Sequence, residues 1–128
     1  MKIKLTSVFV NDQEKALKFY TEVLGFVKKN EISLGEFKWL TVVSPESSEE
    51  TELLLEPNNN PAAKIYQTEI FKQGIPANAF NVENVQSEFE RLQNFGVIFT
   101  TKPTNVGTAV IAVFNDTCGN LIQIYEVL

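Results

Sequence analysis

The chain has 128 residues, 44% of them hydrophobic, and a formal net charge of −5. Such a length makes one ordinary domain with room for a sizeable core, and such a composition excludes a disordered chain. The acidic balance and the scattered Lys and Arg argue against a nucleic-acid binder, which needs clustered cations, and no apolar run reaches the length of a membrane span.

The opening "MKIKLTSVFV" is too short and too alternating for a signal peptide. Within it, residues 3–10 alternate and are rich in β-branched side chains, which predicts a strand. The next segment, "NDQEKALKFYTEVLGF", reads as a helix. Asn11 or Asp12 is its N-cap, Ala16, Phe19, Tyr20 and Val23 form its apolar stripe, and Gly25 stands just past its end. "FVKKNEISL" and "EFKWLTVVS" predict a hairpin with Gly35 in the turn. "PESSEE" is a polar, acidic loop, and "TELLLEP" is a short strand stopped by Pro57. Residues 58–74 carry no strand pattern and read as a linker with one amphipathic turn or short helix.

The pattern then restarts. Residues 75–82, "IPANAFNV", predict a strand. A helix follows, with Asn84 as N-cap, Val85, Phe89 and Leu92 as its stripe and Gly96 at its end. "VIFTTKP", "TAVIAVFND" and "NLIQIYEV" are three more strands. Each half therefore reads β-α-β-β-β, at an offset of about 71 or 72 residues. The expected fold class is α+β: module 1 at about 1–57, module 2 at about 75–128, and one curled eight-stranded mixed sheet around a cavity.

There is no histidine, which removes the usual general base, the Ser-His and Cys-His nucleophile systems and the commonest transition-metal ligand. The single cysteine, Cys118, excludes an internal disulfide and fits a reducing cytoplasm. It sits in the turn "NDTCGN" with no histidine to activate it, so a nucleophilic role is not expected. No phosphate-binding glycine loop is present.

The strand followed by "ND" and "ALKFYTEVLGF", the second helix ending in "FGV", and the closing "VFNDTCGNLIQIYE" resemble the vicinal oxygen chelate superfamily over essentially the whole chain. That superfamily includes glyoxalase I, extradiol dioxygenases, fosfomycin-modifying thiol transferases and bleomycin-resistance proteins. Its metal enzymes place one ligand on the first and last strand of each module. The resemblance carries those positions to Leu5, Glu56, Ala77 and Gln123. Leu5 and Ala77 cannot coordinate through their side chains, Gln123 offers a neutral carbonyl, and only Glu56 keeps its type. One carboxylate and one amide fall short of three protein ligands, so no metal and no other cofactor is expected. The bleomycin-resistance branch, which lacks the metal set, resembles this chain better. It implies a homodimer and a ligand-binding crevice.

Strand alternation puts Leu5, Ser7 and Phe9 on one face, Ala77, Ala79 and Asn81 on another, and Leu121, Gln123 and Tyr125 on a third. These are the expected cavity faces. Gln123 is either a hydrogen-bonding group for a ligand, with Tyr125 as partner, or a satisfied polar group in a wet groove. Glu126 then faces the helix side or solvent and is not expected to do chemistry. Glu56 is either a general base or cation binder, or a rim carboxylate. Trp39 is either a stacking wall or a core or dimer contact. The leading expectation is binding of a small organic molecule, toxic or antibiotic-like, by Leu5, Ser7, Phe9, Trp39, Glu56, Ala77, Asn81, Gln123 and Tyr125. The alternatives are a lyase, isomerase or dioxygenase with Glu56 as its best catalytic candidate, and a regulatory module that binds another protein.

Overall fold

The computed structural model describes residues 1–46 and 51–128, so the acidic loop expected at 45–50 lies, over 47–50, outside the described residues. Its strands form two four-stranded mixed sheets, one for each half of the sequence. The chain divides into two compact units, Met1–Ile65 and Tyr66–Leu128.

In the first unit, β1 (Leu5–Val10) runs parallel to β4 (Glu52–Pro57), and β3 (Phe37–Val43) and β2 (Val27–Leu34) continue the sheet antiparallel. The helix α1 (Gln13–Lys18) starts where the Asp12 carboxylate accepts from the Lys15 N–H at 3.0 Å. It runs on into a wider, π-helical turn over Phe19–Val23, which the sequence did not signal. The turn ends with Gly25 at φ +91°, and the Phe26 N–H closes onto the Tyr20 carbonyl at 3.0 Å. Ala16, Phe19 and Tyr20 are buried, and Val8, Val10, Leu40, Val42, Leu53 and Leu55 supply the sheet's side of that core.

A three-turn helix, α2 (Pro61–Lys72), occupies the expected linker and is longer than the turn or short helix read from the sequence. Asn60 begins it: its side chain accepts from the Ala62 N–H at 2.9 Å, and Pro61 takes the first helical position.

In the second unit, β5 (Asn78–Asn81) runs parallel to β8 (Leu121–Val127), followed by β7 (Ala109–Asn115) and β6 (Phe99–Asn105). The helix α3 (Val85–Asn94) is capped by Asn84, which accepts from the Ser87 N–H at 2.8 Å. Val85, Phe89 and Leu92 are buried, and Phe89, Phe99 and Phe114 form a chain of edge-to-face rings. The βαβββ order of both halves is as the sequence predicts.

The β7–β8 turn is a polar knot. The fully buried Asp116 carboxylate accepts from the Cys118 N–H at 2.7 Å, the Asn120 N–H at 3.0 Å and the Asn120 amide at 2.8 Å. Gln67 of α2 donates to the Cys118 carbonyl and the Asn120 side chain at 3.2 and 3.1 Å. Gly119 sits at φ +101°, where an added Cβ would lie 2.7 Å from the Gln67 amide nitrogen. Gly119→Ala should therefore cost at least about 1 kcal/mol, and Asp116→Ala, which strands three donors in the interior, about 3 kcal/mol. Urea unfolding measures both, and losses below about 0.5 kcal/mol would place the knot outside the stability of the fold.

Candidate functional site

Each sheet has one face toward its own helix and one face away from it. On the away face of the first sheet, Leu5 lies beside Glu52, Ser7 beside Leu54 and Phe9 beside Glu56. Across β3, Val43 lies beside Glu52 and Thr41 beside Leu54, and alternation puts Trp39 on the same face, next to Ile32 of β2. Leu5 and Ser7 are exposed, whereas Phe9, Trp39 and Glu56 are half-buried.

At one end of this face, where β4 begins, is a carboxylate that the sequence did not mark as functional. Glu52 Oε1 accepts from the Thr41 hydroxyl at 2.7 Å and the Asn30 amide at 2.8 Å. Thr41 is fully buried. The hydrogen bond from Thr41 is the largest cause holding the Glu52 carboxyl below its ordinary range. Desolvation opposes it, and Asn30 and the charge of Lys29 assist. "TELLLE" alone gave no sign of this, because the partners come from two other strands.

On the second sheet, Ala79 lies beside Gln123 and Asn81 beside Tyr125, while the Ala77 N–H donates to the Leu121 carbonyl at 2.8 Å. Gln123 and Tyr125 also flank Val113 and Ile111 of β7. Ala77, Gln123 and Tyr125 are half-buried. Asn81 is exposed, and its amide donates to the Tyr125 carbonyl at 3.3 Å. Glu126 is on the helix side, where its carboxylate accepts from the Val85 N–H at 2.9 Å, at the start of α3.

The strand registers compare the two halves position by position. Asp12 and Asn84 are equivalent caps, so Leu5 corresponds to Ala77 and Phe9 to Asn81. Phe9 lies beside Glu56 and Asn81 beside Tyr125. Glu56 is therefore the counterpart of Tyr125, and the counterpart of Gln123 is Leu54. The four positions that the resemblance assigns to metal ligands, Leu5, Glu56, Ala77 and Gln123, are therefore not all equivalent between the halves, and they offer one carboxylate, one amide and two side chains with no donor atom. This set does not fit a catalytic metal, which takes three protein ligands. Among the described residues, no three His, Cys, Asp or Glu side chains gather into a group that could hold one.

A cavity of about 460 Å³ opens on the helix side of the first sheet. Val10, Leu17, Leu40 and Pro57 give it an apolar floor. None of the ligand-face residues expected from the sequence lines it. Gln13 shapes its base where β3 and β4 part. Its amide donates to the Lys38 and Leu55 carbonyls at 2.8 and 2.9 Å and accepts from the Lys38 N–H at 3.0 Å.

At the rim of the cavity, Glu31 is clamped by Lys28 and Lys38, each at 2.7 Å. The Lys28 hydrogen bond, then that of Lys38, hold its pKa down to about 2, and Glu31 in turn raises that of Lys38. A depressed carboxylate stabilises the fold above its unfolded value of 4.5 and loses that contribution as pH falls toward about 2. Glu31→Gln should flatten the loss of thermal stability across this window, and added salt should shrink the difference from the parent. Parallel acid profiles for the two proteins would show that the clamp contributes nothing to stability.

A family model described as the Glyoxalase/Bleomycin resistance protein/Dioxygenase superfamily matches residues 2–124. The uncharacterized protein YurT of Bacillus subtilis (strain 168) is 58% identical over 126 residues, covering 98% of this chain and 99% of that one. Among solved structures, UcmS2 is 31% identical with a TM-score of 0.85, and 98% of each chain is covered. TnmS3, described as an antibiotic binding protein from Streptomyces sp. CB03234, is 27% identical with a TM-score of 0.79, covering 100% of this chain and 97% of that one.

Proposed function

The chain belongs to the glyoxalase/bleomycin resistance protein/dioxygenase superfamily, and from that premise we propose that it binds a small organic molecule of a toxic or antibiotic-like kind, without a catalytic metal. The observation that carries the reading is the donor set. Where metal enzymes of this fold need ligands, the chain has Leu5, Ala77, Gln123 and Glu56. The antibiotic-binding description of TnmS3 supports the same direction.

On module 1 the ligand face would be Leu5, Ser7, Phe9, Trp39 and Glu56, and on module 2 Ala77, Asn81, Gln123 and Tyr125. Phe9 and Trp39 are the apolar walls. Glu56, Asn81, Gln123 and Tyr125 set polarity and orientation. The small Ala77 leaves room. Binding is by burial of apolar surface in a site with few, placed polar groups. The working form is a homodimer in a reducing cytoplasm. Among the described residues no helix is long and apolar enough to cross a membrane.

Chelator-treated protein should be unfolded thermally with a panel of aromatic antibiotics and, separately, with Ni²⁺, Zn²⁺, Mn²⁺ and Fe²⁺. A ligand present at about 100 times its Kd adds about 2.7 kcal/mol of stability, a rise of about 4 °C or more. At least one antibiotic should give that rise and no metal should. A metal-dependent rise that vanishes in Glu56→Ala, with no antibiotic effect, would overturn the reading in favour of a lyase, isomerase or dioxygenase built on Glu56.

A further inference from the structure

We infer that the module 1 sheet face selects a ligand with a cationic nitrogen (a protonated amine or guanidinium) on an aromatic body, and that Glu52 recognises that nitrogen. The inference rests on the small-molecule reading above and narrows it to a chemical class.

Glu52 opens β4, a strand with β1 on one side and β3 on the other. Its immediate neighbours on the face are Leu5 and Val43, with Leu54 two residues along β4. A carboxylate among apolar side chains is costly unless it is hydrogen-bonded. Here Thr41 and Asn30 provide the bonds from β3 and β2, so three strands fix the direction of one side chain. Among the described residues both side-chain donors fall on Oε1. Oε2 is the remaining acceptor, with the charge of Lys29 near it. The ion is already oriented and its charge already favoured, so a ligand need not organise the site before it binds.

Beside this acceptor the face carries an aromatic ring. Trp39 shares the face with Thr41 and is two residues from it, about 7 Å along the strand. An indole face attracts cations and stacks on planar groups. The Glu52 carboxylate is held at the Thr41 hydroxyl, so a carboxylate and a ring share this face and complement a molecule that is aromatic at one end and positively charged at the other. The chain's net charge of −5 attracts such a molecule at long range and disfavours an anion.

The test uses three probes that share a naphthalene body and carry a cationic, a neutral and an anionic head: 2-naphthylmethylamine, 2-naphthylmethanol and 2-naphthoate. Binding is measured by titration calorimetry at neutral pH against the intact protein and Glu52→Gln. The glutamine keeps an oxygen for Thr41 and Asn30, removes the charge and turns the second oxygen into an NH2 donor, and circular dichroism checks that the fold is retained. The amine should bind the parent about tenfold more tightly than the alcohol, with the naphthoate weakest. Glu52→Gln should erase that preference. Thr41→Val, which frees the carboxylate to turn, should weaken the amine alone. Equal binding of amine and alcohol to the parent, or a preference that survives in Glu52→Gln, would overturn the inference and leave the small-molecule reading standing. If none of the three binds the parent, both fall for this face.

Discussion

Each four-stranded sheet of this protein has two faces and one helix of its own to cover them. That shortage governs where every other residue goes. Val8, Val10, Leu40, Val42, Leu53 and Leu55 meet the α1 side, and Ala112, Phe114, Ile122 and Ile124 meet the α3 side. The opposite faces carry residues that a closed core would not choose: Ser7, Glu52 and Glu56 on one sheet, Asn81 and Gln123 on the other. Thr41, Val43 and Leu54 on the first of these faces, and Val113 and Leu121 on the second, are buried as well, so it is the polar residues among them that are left for chemistry or recognition.

What that side can do follows from its donors. The metal enzymes it resembles carry ligands on the first and last strand of each module, and the chain has Leu5 and Ala77 at two of the positions that the resemblance assigns. The register comparison sharpens the point. The strand position in module 1 equivalent to Gln123 is Leu54, which is buried, whereas Glu56 is equivalent to Tyr125. The strongest polar feature on the face is instead Glu52, fixed through one oxygen by Thr41 and Asn30. A face with one oriented carboxylate, a ring from Trp39 and small gaps suits recognition of a molecule better than activation of a water or an oxygen.

The elements that were legible in the sequence are those fixed by local rules. Asp12 and Asn84 at the helix starts, Gly25 and Gly96 at their ends, and the stripes of Ala16, Phe19, Tyr20 and of Val85, Phe89, Leu92 identified both modules. The alternation of β8 correctly separated Gln123 from Glu126, which caps α3. Residues 58–74 carry no strand pattern and read as a linker with one turn or short helix, yet Asn60 and Pro61 are good openers for the longer helix α2. The Glu52 cluster and the Asp116 knot were not legible. Glu52 finds its partners 11 and 22 residues away, and Gln67 reaches the knot from 51 and 53 residues away, so strand pairing and α2 packing bring them together; Asp116 itself bonds Cys118 and Asn120, two and four residues along the chain. The π-helical turn at Phe19–Val23 carries no composition signal at all.

The central claim is that ligands bind the sheet faces turned away from the helices and do so without metal. Amide chemical shifts of isotope-labelled, chelator-treated protein, followed while an aromatic antibiotic is titrated in, test it most directly. The account predicts shifts centred on Leu5, Ser7, Phe9, Trp39 and Glu52, and on Ala79, Gln123 and Tyr125. Shifts confined to Asp12, Gln13, Phe37 and Lys38 would place the ligand in the cavity on the helix side of the first sheet and contradict it, as would binding that appears only after a metal is restored.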